Sequence, residues 1–212
     1  MWQETCAVGG VVGLAMAGLI GSKVMRARQV PGFWARRAAS AAGGLAYLIA
    51  VLWLDVAVAL VVLGALTLLV LLLRITGGVA LQGVRGNRSS QAWSEVTYPV
   101  AGTLSLAVGW GLLGDKWLGF APVAFMAWGD NACGLVRDTC GDWIARAWPS
   151  AAMLAVCLGV AGLIQPYWIG TLGAVAATVA ERFRPPVPIW DDNLNLVAAS
   201  LAVMAVVSKT AG

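Results

Sequence analysis

The residues of this chain able to do chemistry are arginines and carboxylates, and they fall into four short clusters. The first is Arg36-Arg37, followed by Ser40. A guanidinium offers forked donors that match phosphate oxygens, so the pair can grip a substrate phosphate; the same pair can also serve as plain topological charge or meet anionic lipid headgroups. The second cluster, Glu95-Val96-Thr97-Tyr98-Pro99, sets a carboxylate and a proline where the pattern predicts the first turn of a helix, and a simple start signal accounts for both as well as function does. The third is Gly129-Asp130-Asn131-Ala132-Cys133-Gly134. A carboxylate in an apolar helix costs about a few kcal/mol to desolvate. Asp130 therefore requires a partner, either Mg²⁺ or an arginine, unless it makes an interhelical polar contact. The fourth runs from Glu181-Arg182 through Pro185-Pro186-Val187-Pro188 to Asp191-Asp192-Asn193-Leu194. Asp192 or Asn193 is a natural helix N-cap, yet one cap does not require Glu181 and both aspartates. Oxygen-only carboxylate clusters suit Mg²⁺, which keeps several waters and is shared with substrate phosphates.

Histidine is absent from all 212 residues. That excludes a histidine general base, a Ser-His-Asp triad and a histidine-ligated metal. The four cysteines, Cys6, Cys133, Cys140 and Cys157, form no CxxC pair and lie in or beside apolar runs, where they read as small buried hydrophobes.

The elements that carry these clusters are membrane helices. Sixty per cent of the residues are hydrophobic and 11% charged, too few charges for a water-soluble domain, which carries about 25%. Charged or Pro/Gly-rich breaks divide the chain into eight apolar segments, at about 5–22, 37–54, 56–73, 97–114, 117–136, 149–165, 167–181 and 193–208. Each approaches the roughly 20 residues a transmembrane helix needs. The expected architecture is an all-α integral membrane protein with about eight transmembrane helices in a single polytopic domain over 1–212. The first segment reads as a retained span and not a signal peptide, since Glu4 precedes it and Lys23 follows. Asp55 alone separates the second from the third, which predicts a tight helical hairpin. With eight spans, 12 of the 14 basic residues fall on one side, leaving Lys116 and Lys209 opposite. The positive-inside rule makes that side cytoplasmic and puts both termini on the non-cytoplasmic side. The net charge of +4 thus reflects topology, and no nucleic-acid partner is expected. Mixed charges gathered at one rim, with an apolar body behind them, fit chemistry on a lipid at the cytoplasmic face better than a transport path through mid-membrane.

The order Arg36-Arg37, Glu95…Tyr98-Pro99, Gly129-Asp130 and Glu181…Asp191-Asp192-Asn193-Leu194 resembles the polyprenol kinase family, the CTP-dependent dolichol, phytol and farnesol kinases, over about residues 33–205. Ser40 stands where the family usually has a histidine. Arg146 and Ser150 lie in the stretch aligned with the family's Lys-Ser-x-x-Gly-Ser segment.

The resemblance implies a multi-span enzyme that transfers the terminal phosphoryl group of CTP to a long-chain isoprenoid alcohol with a divalent cation. On that basis Asp130, Asp191 and Asp192 are expected to hold Mg²⁺. Arg36, Arg37, Arg137 and Arg146 are expected to neutralise donor phosphates, with Asn131 and Asn193 as further polar contacts to the nucleotide. Glu181 or Glu95 is expected to orient or deprotonate the alcohol. Two other readings remain open at this point: a CTP-dependent cytidylyltransferase of the CDP-lipid synthase type, and a small membrane transporter or structural protein without enzymatic activity. Oligomeric state is not legible in the chain.

Overall fold

Apolar runs broken by charge or by Pro and Gly become helices throughout the chain. The structure is a computed structural model that describes residues 2–77, 81, 93–183 and 191–211, with the side chains of 145–147 and 211 outside the described set. Among the described residues the regular elements are all helical: α1 (Trp2–Ala27), α2 (Gly32–Trp53), α3 (Val56–Ile75), α4 (Ser94–Leu106), α5 (Lys116–Ala124), α6 (Asp130–Thr139), α7 (Asp142–Ala147), α8 (Pro149–Ala161), α9 (Tyr167–Arg182) and α10 (Asp192–Ala211). α4 runs on into a π-helical turn, Ala107–Leu112, and α5 into another, Phe125–Gly129. Each of the eight apolar segments falls on a helix or on a helix and its π turn, except that 117–136 runs through α5 and its π turn into α6. Three helices are long and apolar enough to cross a membrane by length and composition: Trp2–Ala27, Val56–Ile75 and the Asp192–Thr210 stretch of α10.

α5 is the axis of the bundle. Every residue from 118 to 127 is buried, and α2, α4, α8, α9 and α10 all pack against this stretch and its π turn. A helix that is apolar on every face belongs at such a centre. Close packing here relies on small residues. A Cβ added at Gly109 would lie 2.3 Å from the Cα of Gly119, so backbone meets backbone where the two chain segments cross. Beside that crossing, Ser105 Oγ donates to Gly119 O at 2.7 Å.

Two expectations are corrected. Pro99 lies in the interior of α4 and not in its first turn, because the helix already begins at Ser94. Its carbonyl accepts from Tyr47 Oη at 3.0 Å and Thr67 Oγ1 at 3.3 Å. Thr103 joins the same group, 3.2 Å from Tyr47 and 3.1 Å from Thr67. These buried polar groups thereby satisfy one another. The second correction concerns α2 and α3. Their joint is tight, only Leu54 and Asp55, but the helices diverge: α2 lies along α1, while α3 packs on α4 and touches α1 and α2 at few points. The space left between them is the cavity described below.

The Gly109–Gly119 crossing yields a test. Overpacking of a close contact costs about 1–3 kcal/mol. Gly109→Ala is therefore expected to lower the melting temperature of the protein in detergent, whereas a substitution at the open position Gly64, where an added Cβ meets nothing within 4 Å, leaves it unchanged.

Candidate functional site at the charged rim

A cavity of about 330 Å³ opens between α1, α2, α3, α4, α6 and the start of α10. One end is polar, with Arg36, Arg37, Glu95, Asp130, Asn131, Arg137, Asp138, Asp192 and Asn193 in its wall. The other is apolar, lined by Met16, Leu19, Leu63, Leu66, Leu69 and Val70. Eight of the eleven site residues expected from the sequence thus share one cavity. Glu181 and Asp191 lie outside its lining. Arg146 falls where side chains lie outside the described residues, as does the Pro185–Pro188 segment.

Arg37 is held by α6. Its Nη1 donates to Asn131 O at 2.9 Å and its Nη2 to Asp138 Oδ2 at 2.6 Å, while Asn131 Nδ2 returns a bond to Arg37 O at 3.1 Å. Asn131 is thus a clamp between α2 and α6. Gly134 makes room for it, since a Cβ there would fall 2.1 Å from Arg37 Nη2. Tyr98 Oη donates to Ser40 O at 2.8 Å and ties α4 to the same part of α2.

The glutamates are committed to arginines. The Glu95 carboxylate, with a fully buried side chain, pairs with Arg74 at 3.0 Å, and the Arg74 guanidinium lies 5.0 Å from the centre of the Trp93 ring. Glu181 Oε1 pairs with Arg137 Nη1 at 3.1 Å. Arg137 also reaches toward Cys133 Sγ at 3.8 Å. Arg182 Nε donates to Ser150 Oγ at 2.9 Å.

Asp130 and Asp192 differ. Both line the cavity, and among the described residues neither carboxylate makes a hydrogen bond or an ion pair. Asp192, Glu181, Arg137 and Arg37 all lie within electrostatic reach of Asp130. The π turn Phe125–Gly129 immediately precedes Asp130. Such a turn takes an extra residue and shifts the register of the helix beyond it.

Asp191 has a different task from the one expected. Its Oδ2 accepts from Thr97 Oγ1 and from Asn193 Nδ2, the latter at 3.2 Å, and its Oδ1 accepts from Leu194 N at 3.3 Å. It is therefore the N-cap of α10, one residue ahead of the two candidates named from the sequence. Asn193 spends its amide on this same group, 3.5 Å from Thr97 Oγ1. Among the described residues no three His, Cys, Asp or Glu side chains form a group able to hold a metal ion. The expected trio Asp130, Asp191 and Asp192 is thus reduced to the two carboxylates that face the cavity.

Sequence reasoning missed Arg74, Asp138 and Thr97 as partners of the site residues. Arg74 could have been found, since it ends the apolar run of α3 just where Glu95 needs a cation. Thr97 carried no signal of its own.

Burial pushes the Asp191 carboxyl up to about 6, with the Thr97 hydroxyl pulling the other way and Asp192 adding to the rise. An unfolded aspartate titrates near about 3.9. The folded chain therefore holds this proton more tightly, so the group's stabilising share is complete below the unfolded value and is lost as pH rises through about 6. Asp191→Asn should remove that dependence. The difference in melting temperature between wild type and variant is expected to shift against the wild type from about pH 4 to about pH 7; a difference flat with pH would contradict it. No protein-family model, curated protein or solved structure matches the chain, and the site is read from its own residues.

Proposed function

We propose that the protein is a multi-pass membrane lipid kinase that transfers the terminal phosphoryl group of CTP to the hydroxyl of a long-chain isoprenoid alcohol. The observation that carries this reading is the two-ended cavity. Arginines and carboxylates at one end suit a polyphosphate and a hydroxyl, and the apolar end suits a hydrocarbon tail. A buried methylene contributes about 0.8 kcal/mol, so a tail held among α1, α2 and α3 keeps the alcohol head at the rim. The choice of CTP and of an isoprenoid acceptor comes from the resemblance in motif order to the polyprenol kinases.

Phosphoryl transfer asks for positioning and charge neutralisation more than for covalent chemistry from the protein. Arg36, Arg37 and Arg137 line the polar end and are the cations placed to meet phosphate oxygens. Asp130 lines the cavity from α6 and Asp192 from the start of α10. Two carboxylates completed by waters and donor phosphates match how Mg²⁺ is usually held, and these two would hold it, where it would supply charge neutralisation on the transferring group. The alcohol oxygen attacks the terminal phosphorus, the bond from that phosphorus to the bridging oxygen breaks, and CDP leaves. Of the two candidates for the alcohol's proton, Glu95 lines the cavity and Glu181 does not. Glu95 is therefore the proposed acceptor, with Arg74 holding it in place, and Glu181 is the residue that positions Arg137.

The topology belongs to the same proposal. Eight spans with both termini outside put the charged rim, and with it the polar end of the cavity, at the cytoplasmic face. Cys140, free and exposed just beyond α6, reports on this. A membrane-impermeant maleimide should label it in inside-out vesicles and spare it in intact cells; the reverse pattern would invert the orientation.

Activity is tested with γ-labelled CTP and geranylgeraniol, phytol or dolichol in detergent. Wild type should yield labelled lipid phosphate and CDP, and Asp130→Asn should lower turnover about a hundredfold or more. Near-wild-type turnover by the variant would remove Asp130 from the mechanism. Release of pyrophosphate with a CDP-lipid would identify cytidylyl transfer instead.

A further inference from the structure

The apolar end of the cavity is not closed. Met16 on α1 and Leu69 on α3 both line it and are 38% and 40% exposed. Side chains that line a cavity and stay this exposed stand at its mouth. Leu63 and Val70, seven residues apart on one face of α3, line the cavity and are only 3% and 9% exposed, so Leu69 stands at the edge of the cavity-facing side. Its two edges, a thioether and an isobutyl side chain, are both apolar.

The helices on either side settle what the opening faces. α1 and α3 are two of the three helices long and apolar enough to cross a membrane, and they touch each other at few points. At a rise of about 1.5 Å per residue, Met16 lies ~15 Å along α1 from Arg26, and Leu69 ~8 Å along α3 from Arg74. Both positions fall below the charged rim, at a depth where the surroundings are hydrocarbon and not headgroups.

We infer that the gap between Met16 and Leu69 is a lateral portal through which the acceptor lipid enters from the bilayer, its head reaching the arginine and carboxylate end while its tail trails out between α1 and α3. The inference rests on the reading of the cavity as a lipid-alcohol kinase site and adds the acceptor's route and the two residues that govern its selection. It also gives α1 a role, although α1 precedes the stretch that resembles the polyprenol kinases. A portal open to lipid does not measure the whole tail. Only the first isoprene units contact the cavity wall, so acceptors longer than the cavity should be used with similar efficiency.

The experiment pairs portal-blocking variants with acceptors of two lengths. Met16→Trp, Leu69→Trp and the double variant are assayed with dimethylallyl alcohol, whose tail ends inside the cavity, and with geranylgeraniol, whose tail must leave it. The expected result is a rise of about tenfold or more in KM for geranylgeraniol, the effect of losing one or two buried methylenes, with a clearly smaller rise for dimethylallyl alcohol. Equal loss on both acceptors, or no loss on either, would overturn the portal. A second measurement needs no turnover and no variant: a geranylgeraniol carrying a diazirine near the end of its tail is photolysed with the wild-type protein, and the modified peptides are mapped. Label on α1 around Met16 and on α3 around Leu69 supports the portal, and label confined to other helices overturns it. Label at the portal without phosphorylation of either alcohol would leave the route standing and defeat the kinase reading alone.

Discussion

Charge inside a bundle of apolar helices must be matched, and at this rim the matching is done between segments far apart in the chain. Arg37 joins α2 to α6 through Asp138 and Asn131. Arg74 joins α3 to α4 through Glu95, and Arg137 joins α6 to α9 through Glu181. Thr97 joins α4 to the start of α10 through Asp191. Replacing a buried ion pair by apolar groups can be harmless, but removing one partner leaves the other charge stranded at a cost of about 3–5 kcal/mol. Each link therefore constrains two helix ends at once. The polar end of the cavity exists because these links hold α2, α3, α4, α6 and α10 around it, with α9 bracing α6 from beyond the lining.

That same matching identifies what is left over for chemistry. Once Arg37, Arg74 and Arg137 are paired with Asp138, Glu95 and Glu181, Asp130 and Asp192 remain facing the cavity without a hydrogen bond or ion pair among the described residues. The carboxylates thus separate by partner and not by residue type. Asp191 and Asp192 are neighbours in sequence, yet one is spent on capping α10 and the other lines the cavity. The divergence of α3 from α2 has a similar double role. It denies those helices a mutual interface and in return creates the apolar half of the cavity.

Much of this was legible in the sequence because the physics behind it is local or one-dimensional. Apolar runs and their breaks gave the helices. Eight of the eleven candidate site residues proved to line one cavity. The rest depends on three-dimensional partnership. Glu95 and Arg74 stand 21 residues apart in the sequence, so no helical spacing pairs them, and only the place of Arg74 at the end of the α3 run hints at it. The N-cap of α10 was misplaced by one residue, since Asp191, Asp192 and Asn193 are all good caps and only the true first turn decides. Pro99 was expected in a first turn, because nothing in the apolar pattern shows that α4 already begins at Ser94. Met16 and Leu69 are invisible as portal residues in a sequence where lipid-facing and cavity-facing side chains share one chemistry.

The central claim is that the arginine and carboxylate end of the cavity binds a nucleotide's phosphates together with a divalent cation. Anything that binds the folded state alone raises its melting temperature in proportion to the logarithm of its concentration over Kd. The most direct measurement is the melting temperature of the purified protein in detergent with CTP, with and without Mg²⁺. The account predicts a concentration-dependent rise that requires both together. A melting temperature unmoved by CTP, Mg²⁺ or the two combined would contradict it.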